Sequence, residues 1–368
     1  MTSKTDLLPE GLEDRLPASA QAITLAMRAC LDVLDAHGYD RVRPPLLEFE
    51  SSLASRMQGI ETRRMFRMTD PASLRTLALR SDITPQVGRI AATMMKDAPR
   101  PLRLAYCGDT AVMKASQLDP ARERLQLGGE LIGSDSAAAA GEIVSVALEA
   151  LRAAGLAGLS VDFTMPDLVD TLGAQNRSLS PEAIEAIRRE LDTKDAGGLK
   201  AVGGEAYLPL LYATGPFDES LLKLRELDPA GALSTRLDGL ETIAARMPDD
   251  VRITLDPTER HGFEYQSWFG FTIYAEGVRG AAGRGGTYTI GGSGEAATGF
   301  TLYVDRLADA APEHEAERMV FLPLGHDAEA AATLRGDGWR TRAQISESDD
   351  PKALDCTHIL KGETPEPL

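Results

Sequence analysis

Residues 122–133, RERLQLGGELIG, constrain the chain more than any other stretch. Apolar and polar residues alternate there with period two, the spacing of a β-strand. Leu125, Leu127 and Leu131 share one face; Arg122, Arg124, Gln126, Gly128 and Glu130 share the other. A strand that buries its leucines and holds Gln, Gly and Glu opposite them points to a sheet that floors a polar pocket. Gly128, between Gln126 and Glu130, leaves a gap through which a ligand can approach the backbone. Taken alone, the same pattern also fits a half-exposed antiparallel strand with a wet polar face. What surrounds the stretch favours the pocket.

In chain order, an arm of little periodicity (1–16) precedes a helix over 19–37, with Ile23, Met27, Cys30, Leu31 and Leu34 on one stripe and Gly38 as its left-handed stop. YDRVRPPLLEFE starts as a strand and breaks at Pro44-Pro45, which confines it to an edge or interface. A helix over 48–57 and short strands over 65–69 and 76–82 follow. In ALRSDITPQ, Arg80, Asp82 and Thr84 share a face if the strand runs on, or Thr84 caps a helix that starts at Pro85 and runs to 95. Strands over 102–113 and 122–133 form an antiparallel hairpin. Asp135 is the expected cap of a helix that ends at Gly155. LSVDFTM is a strand with Val161, Phe163 and Met165 inward. Residues 166–248 read as a helical insertion, and a strand over 251–256 resumes the sheet. RHGFEYQSWFGFTIYAEG is a turn into an aromatic strand, RGGTYTIGG a glycine-rich turn with a short strand, and TGFTLYVDRL the start of a helix containing Arg306. A charged linker over 309–318 leads to a small strand-helix-strand-strand tail.

Composition narrows the function. At 368 residues the chain exceeds one small core. With 39 basic against 56 acidic residues, its net charge of -17 disfavours a general nucleic-acid binder. Cys30, Cys107 and Cys356 lie far apart without CxxC spacing and read as reduced cytosolic thiols. Cys356 and His358 lack further metal-type neighbours, so no metal is expected. No apolar run approaches the ~20 residues of a membrane span, and the polar, acid-containing start is no targeting peptide.

The order of these pieces resembles the catalytic core of class II aminoacyl-tRNA synthetases, above all histidyl-tRNA synthetase, over residues 5–310. YDRVRPPLLEFE is similar to the dimer-forming first motif, YCGDTAVMKA through RERLQLGGELIG to the second, and TGFTLYVDRL to the third, with Arg306 at its arginine. ALRSDITPQ resembles the segment that receives the ammonium group, and RHGFEY and RGGTYTIGG resemble the two histidine signatures. The departures are as specific. Val112 stands at the arginine that would hold the ATP α-phosphate and the amino-acid carboxylate, and Lys114 at an acid. The catalytic arginine of the first signature falls at His261, or one residue out of register at Arg260. Thr287 and Thr289 replace Arg and Asp around Tyr288. Amino-acid activation requires cations where negative charge develops, and valine supplies none. A tail of about 50 residues is also shorter than an anticodon-binding domain.

A synthetase core that keeps an amino-acid pocket and loses its ATP machinery resembles the regulatory subunits of ATP phosphoribosyltransferase. The resemblance implies an α+β fold: a class II synthetase-like antiparallel sheet flanked by helices (1–310), a helical insertion (about 166–248) and a short α/β tail (311–368). It implies no catalytic residue and no cofactor. It places histidine on Asp82, Thr84, Arg122, Gln126, Glu130, Tyr265 and Tyr288, with Glu130 and Gln126 reading the imidazole or ammonium, Asp82 the ammonium, and the tyrosines walling the ring. It further implies a cytoplasmic hetero-oligomer with a short-form catalytic subunit, a self-dimer, L-histidine as effector in the first step of histidine biosynthesis, and no tRNA. Losing the carboxylate-binding arginines leaves a second location for the effector, the interface between subunits. An active histidyl-tRNA synthetase, or another synthetase-like sensor or ligase, stands beside this reading.

Overall fold

The computed structural model describes residues 8–55, 65–115, 120–174, 179–260, 266–310 and 318–368. They fall into two compact units, Met1–Ala311 and Pro312–Leu368.

The first unit opens with α1 (Pro17–Ala36), β1 (Asp40–Arg41), β2 (Leu47–Phe49), α2 (Glu50–Ser55), β3 (Arg67–Thr69), β4 (Thr76–Leu79) and α3 (Thr84–Ala92). The long hairpin β5 (Leu102–Ala111) and β6 (Glu123–Ile132) leads to α4 (Ala137–Ala153) and β7 (Ser160–Thr164). Next come α5 (Leu168–Gly173), α6 (Pro181–Asp192), α7 (Ala196–Ala201), a 3-10 turn (Glu205–Tyr212), β8 (Gly215–Pro216), α8 (Phe217–Leu227) and α9 (Ser234–Ala244). The chain then returns to β9 (Arg252–Leu255), β10 (Gln266–Tyr274), β11 (Gly283–Ile290), β12 (Glu295–Tyr303) and α10 (Val304–Ala310). Nine strands form one sheet in the order β1-β5-β6-β12-β11-β10-β7-β9-β8. Its pairs are antiparallel except β1·β5 and β7·β9. A separate small sheet runs β2-β4-β3.

Alternation on each strand sorts the two faces. Leu127 and Leu131 join Cys30 and Leu34 of α1 and the alanine-rich stripe of α4 in the main core. On the opposite face Ile83, just before α3, and Val87 and Ala91 of α3 pack over Leu104, Tyr106, Ile132 and Tyr288. The sheet therefore has α3 on the polar side of β6, and the space beside α3 on that face is where a site can open.

Several expectations are corrected. RGGTYTIGG is strand for most of its length, with the turn confined to Gly291 and Gly292 at its end: β11 pairs with β12 throughout, Gly283 to Leu302 through Ile290 to Glu295. Gly285 and Gly286 read as a turn in the sequence because they lack side chains, but they lie under neighbours that leave no room for one. A Cβ on Gly285 would stand 2.5 Å from the Phe271 ring. TGFTLYVDRL is strand through Tyr303 before α10 begins. The segment expected as helix from residue 48 starts as β2, and the strand expected to continue to Asp82 stops at Leu79. The insertion is not purely helical, because β8 pairs with β9 at the sheet edge.

The α4 cap also moves by one residue. Ser136 accepts the Ala139 N–H at 3.2 Å, while Asp135 uses its backbone carbonyl to accept the Trp268 indole N–H at 2.7 Å. Ser136→Ala is expected to lower stability by about 1 kcal/mol and Asp135→Ala far less, read as shifts of the urea midpoint at constant slope.

The second unit has β13 (Met319–Leu322), α11 (Ala328–Gly336), β14 (Arg340–Ala343), β15 (His358–Lys361) and β16 (Thr364–Pro367) in a sheet of order β14-β13-β15-β16. The last strand was not expected; Pro365 and Pro367 within it hid it. Edge placement tolerates their missing donors. Among the described residues no helix is long and apolar enough to cross a membrane.

Candidate functional site

Residues paired directly across strands share a face. On the α3 side this puts Glu130, Gly299, Gly286, Gly270 and Thr164 in one row from β6 to β7. The next row runs Tyr106, Gly128, Thr301, Arg284, Thr272 and Asp162, and the row on the other side ends in Tyr288 and Gln266. Three glycines in register on three adjacent strands leave a trough, over which the side chains around it lie flat. A Cβ on Gly299 would stand 1.6 Å from the Glu130 carboxylate, one on Gly270 2.4 Å from the Gln266 amide, and one on Gly128 2.5 Å from the Tyr106 hydroxyl. The trough floors a slot lined by Thr84, Glu130, Gln266, Arg284, Gly285, Gly286, Tyr288, Gly299, Phe300 and Thr301. Counting its open mouth, it encloses about 270 Å³ of empty space.

A bulge in β10 places Gln266. Between Gln266 and Gly270 the register against β11 shifts, and the extra residues are held by Thr287. Its Oγ1 accepts from Trp268 N (3.3 Å), Phe269 N (3.1 Å) and the Ser267 hydroxyl (2.8 Å). The bulge turns Gln266 back so that its amide donates to Gly285 O at 2.7 Å. Thr287, which the sequence shows only as a lost arginine, is therefore the residue that shapes this wall.

Glu130 is 1 % exposed and accepts the Tyr288 hydroxyl at 2.8 Å. Burial pushes its carboxyl up to about 8; hydrogen bonds from Tyr288, Thr84 and Tyr106 pull against that rise, and the Asp82 charge adds to it. Asp82 is also raised by burial, opposed by the N–H groups of Thr84 and Ile83 at the start of α3 and by the Gln126 side chain. Thr84 bonds the Tyr106 hydroxyl (3.2 Å), which bonds Thr301 Oγ1 (2.6 Å). Thr84 is thus the first residue of α3 and a wall of the slot, and its side chain caps nothing.

Of the residues expected to bind histidine, Thr84, Glu130 and Tyr288 line the slot, with Asp82 beside them. Gln126 lies one row away, accepting the Ile83 N–H at 3.1 Å, and so holds the start of α3. Arg122 is elsewhere: it donates to the carbonyls of Val112 and Glu10 (both 3.3 Å), 5.0 Å from the Phe66 ring centroid. Tyr265 and His261 lie outside the described residues. Arg80, expected with Asp82 and Thr84, turns away to bond Asp109 O and Pro44 O, because β4 ends before it. Arg260 pairs with Glu185 of the insertion at 3.6 Å, and Arg306 donates to Ala281 O at 2.9 Å.

The family model described as "Histidyl-tRNA synthetase" matches residues 11–307. A protein of Rhodospirillum centenum called "ATP phosphoribosyltransferase regulatory subunit" is 39 % identical, over 97 % of this chain and 95 % of its own. One of Gluconobacter oxydans with the same name is 36 % identical over 100 % and 98 %. The chain belongs to the ATP phosphoribosyltransferase regulatory subunit family.

Solved structures agree on the fold. One titled as an ATP phosphoribosyltransferase regulatory subunit/histidyl-tRNA synthetase from Bacillus halodurans covers 96 % of this chain and 97 % of its own, at 24 % identity and a TM-score of 0.82. The histidyl-tRNA synthetase of Nostoc covers 96 % and 90 %, at 16 % identity and a TM-score of 0.76. The α+β, class II synthetase-like reading of the sequence holds. The slot has an acid end in Glu130 and Asp82, whereas the second-motif position holds Val112, whose N–H and C=O bond Arg122. Tyr106, Gln266 and Arg284 were missed. Tyr106 carried a signal, since it stands opposite Gly128 in any hairpin of that register; Gln266 carried none, because a bulge is not visible in periodicity.

Proposed function

We propose that this chain is the non-catalytic regulatory subunit of an ATP phosphoribosyltransferase, required for the first step of L-histidine biosynthesis, and that histidine acts on it through the glycine-floored slot. The observation that carries the reading is the pairing of a preserved acid end, Glu130 with Asp82, with a second motif whose cation is replaced by Val112. Such a site holds an ammonium group at its acid end and offers developing phosphate charge no cation at the second-motif position. Full-length relatives bear the regulatory name. The catalytic partner is a short-form ATP phosphoribosyltransferase, and the assembly works in the cytoplasm without tRNA, in keeping with the net charge of -17. Exposed Leu46 and Leu47 in the first-motif region, with exposed Met68 on β3 of the same small sheet as β2, support a self-dimer through that face.

Mixing the chain with a short-form catalytic subunit is expected to produce phosphoribosyltransferase activity absent from either alone, and added histidine to reduce it. A coupling of about 1–3 kcal/mol, or 5- to 150-fold, suffices. No stimulation together with no co-elution overturns the assignment. The family model's synthetase description keeps one other activity in view: histidine-dependent pyrophosphate exchange by the chain alone would establish aminoacyl-adenylate formation instead.

A further inference from the structure

A second cavity opens under the other face of the β5-β6 hairpin, away from the glycine floor. Residues paired directly across strands share a face, so Asp109 stands beside Leu125, and Glu123 beside Ala111, on the side that buries Leu127 and Leu131. α1 covers this side through Cys30 and Leu34. Nearer its start, Ala20 and Ile23 are only half-buried, and the cavity lies between them and the hairpin. The arm before α1 supplies a further wall, tied to the hairpin where Gly11 O accepts the Arg122 N–H at 2.8 Å. Counting its open mouth, the cavity encloses about 740 Å³ of empty space, against about 270 Å³ for the slot.

The charges around this cavity do not balance. Arg124 pairs with Asp305, and Arg15 with Glu13 at 2.7 Å and Asp309 at 3.2 Å. Among the described lining residues these two guanidiniums face four carboxylates, those of Glu13, Asp109, Glu123 and Asp305. Asp109 and Glu123 are exposed and stand diagonally across the hairpin, near enough for like charges to repel; the Asp109 charge also acts on Arg80. Asp305 is 5 % exposed. Its Oδ2 takes Arg124 and lies 3.9 Å from Arg15, while its Oδ1 is buried without a hydrogen-bond partner. A carboxylate oxygen buried in that way is costly, and an N–H donor from a ligand completes it. Ala20, Ile23 and Leu125 add an apolar side. An aliphatic stem with a cationic, donor-bearing head matches this combination, and the volume is that of a small-molecule site. We propose that this cavity binds a free aliphatic amine or guanidine, its stem along Ala20, Ile23 and Leu125 and its head among Asp305, Glu123 and Asp109. The site is separate from the slot and stands whether or not the slot binds histidine.

Calorimetric titration of the full chain with agmatine, a guanidinium and an ammonium on one butyl stem, tests the proposal. Wild type is expected to bind it with a dissociation constant below about 1 mM. The affinity should exceed that for 4-guanidinobutanoate, whose carboxylate replaces the ammonium, by about 10-fold. Glu123→Gln is expected to weaken agmatine about 5-fold, the upper range for an exposed ion pair. Ala20→Leu, which fills the cavity from α1, is expected to weaken it about 10-fold or more at a melting temperature close to wild type. Glu130→Gln in the slot and Glu347→Gln on the second unit are expected to leave the affinity within about 2-fold. A loss in Glu130→Gln without one in Glu123→Gln moves the cation into the slot and overturns the proposal. An equal loss in Glu347→Gln assigns binding to the acidic surface at large and overturns it too, as does a wild-type chain that binds no agmatine at about 10 mM. If Ala20→Leu lowers the melting temperature, Glu123→Gln, at an exposed position, decides alone.

Discussion

Gly299→Ala is expected to destabilise the chain by about 3 kcal/mol or more and to abolish ligand binding in the slot. The added Cβ would stand 1.6 Å from one Glu130 oxygen and 2.4 Å from its carboxyl carbon, and β12 cannot move away because it is paired on both sides. Glu130 must rotate out of the trough, which strips the Tyr288 hydroxyl of its buried acceptor and leaves a carboxyl group to find new partners. The melting temperature of the first unit should fall by roughly 6 °C or more. Gly336→Ala is the control: it ends α11, and nothing stands within 4 Å of its added Cβ. Equal melting curves for the two variants would mean that Glu130 has a second resting place, and that the trough does not hold it.

Glu130→Gln is expected to change how stability depends on pH. With the folded carboxyl near 8 and an ordinary unfolded value of 4.5, the folded chain binds the extra proton between those limits. Stability from this group is therefore complete below about pH 4.5, declines as pH rises, and levels off above about pH 8. The glutamine variant lacks this decline, so it should overtake the wild type on going from pH 5 to pH 9 by a few kcal/mol. Asp82 shifts in the same direction and its charge acts on Glu130, so the difference between the curves reports Glu130 together with its coupling to Asp82. Parallel curves would mean that Glu130 is already ionised in the empty slot. The same chemistry links binding to protons: a ligand ammonium favours the carboxylate, so its arrival near neutral pH releases a proton.

What the sequence disclosed follows from which signals are local. The alternation in 122–133 is a property of one strand, and it sorted Leu127 and Leu131 from Gln126 and Glu130 correctly. Val161 and Phe163 went to the core on the same evidence. Features that depend on partners were not legible. In RGGTYTIGG, Gly285 and Gly286 signal a turn until the Phe271 ring and the backbone of Phe269 and Gly299 are known to lie against them. Thr287 looked like a missing arginine because its work, closing the β10 bulge, concerns residues nearly twenty positions away. Arg122 shares the polar face of β6 with Glu130, but it stands just before the strand, where the arm carbonyl of Glu10 captures it. Sharing a face places residues in a row and says nothing about their distance along it.

The trough has one further consequence, which concerns heredity. Its floor is written in three codons far apart in the gene, those of Gly270, Gly286 and Gly299, and neighbouring codons specify the bulky Phe269, Phe271 and Phe300. Every single-base missense change in a glycine codon installs a Cβ, so no conservative step exists at these positions. Selection can tune this site only from its walls, at Glu130, Gln266, Arg284 and Tyr288, while its floor admits either the present residue or a closed slot.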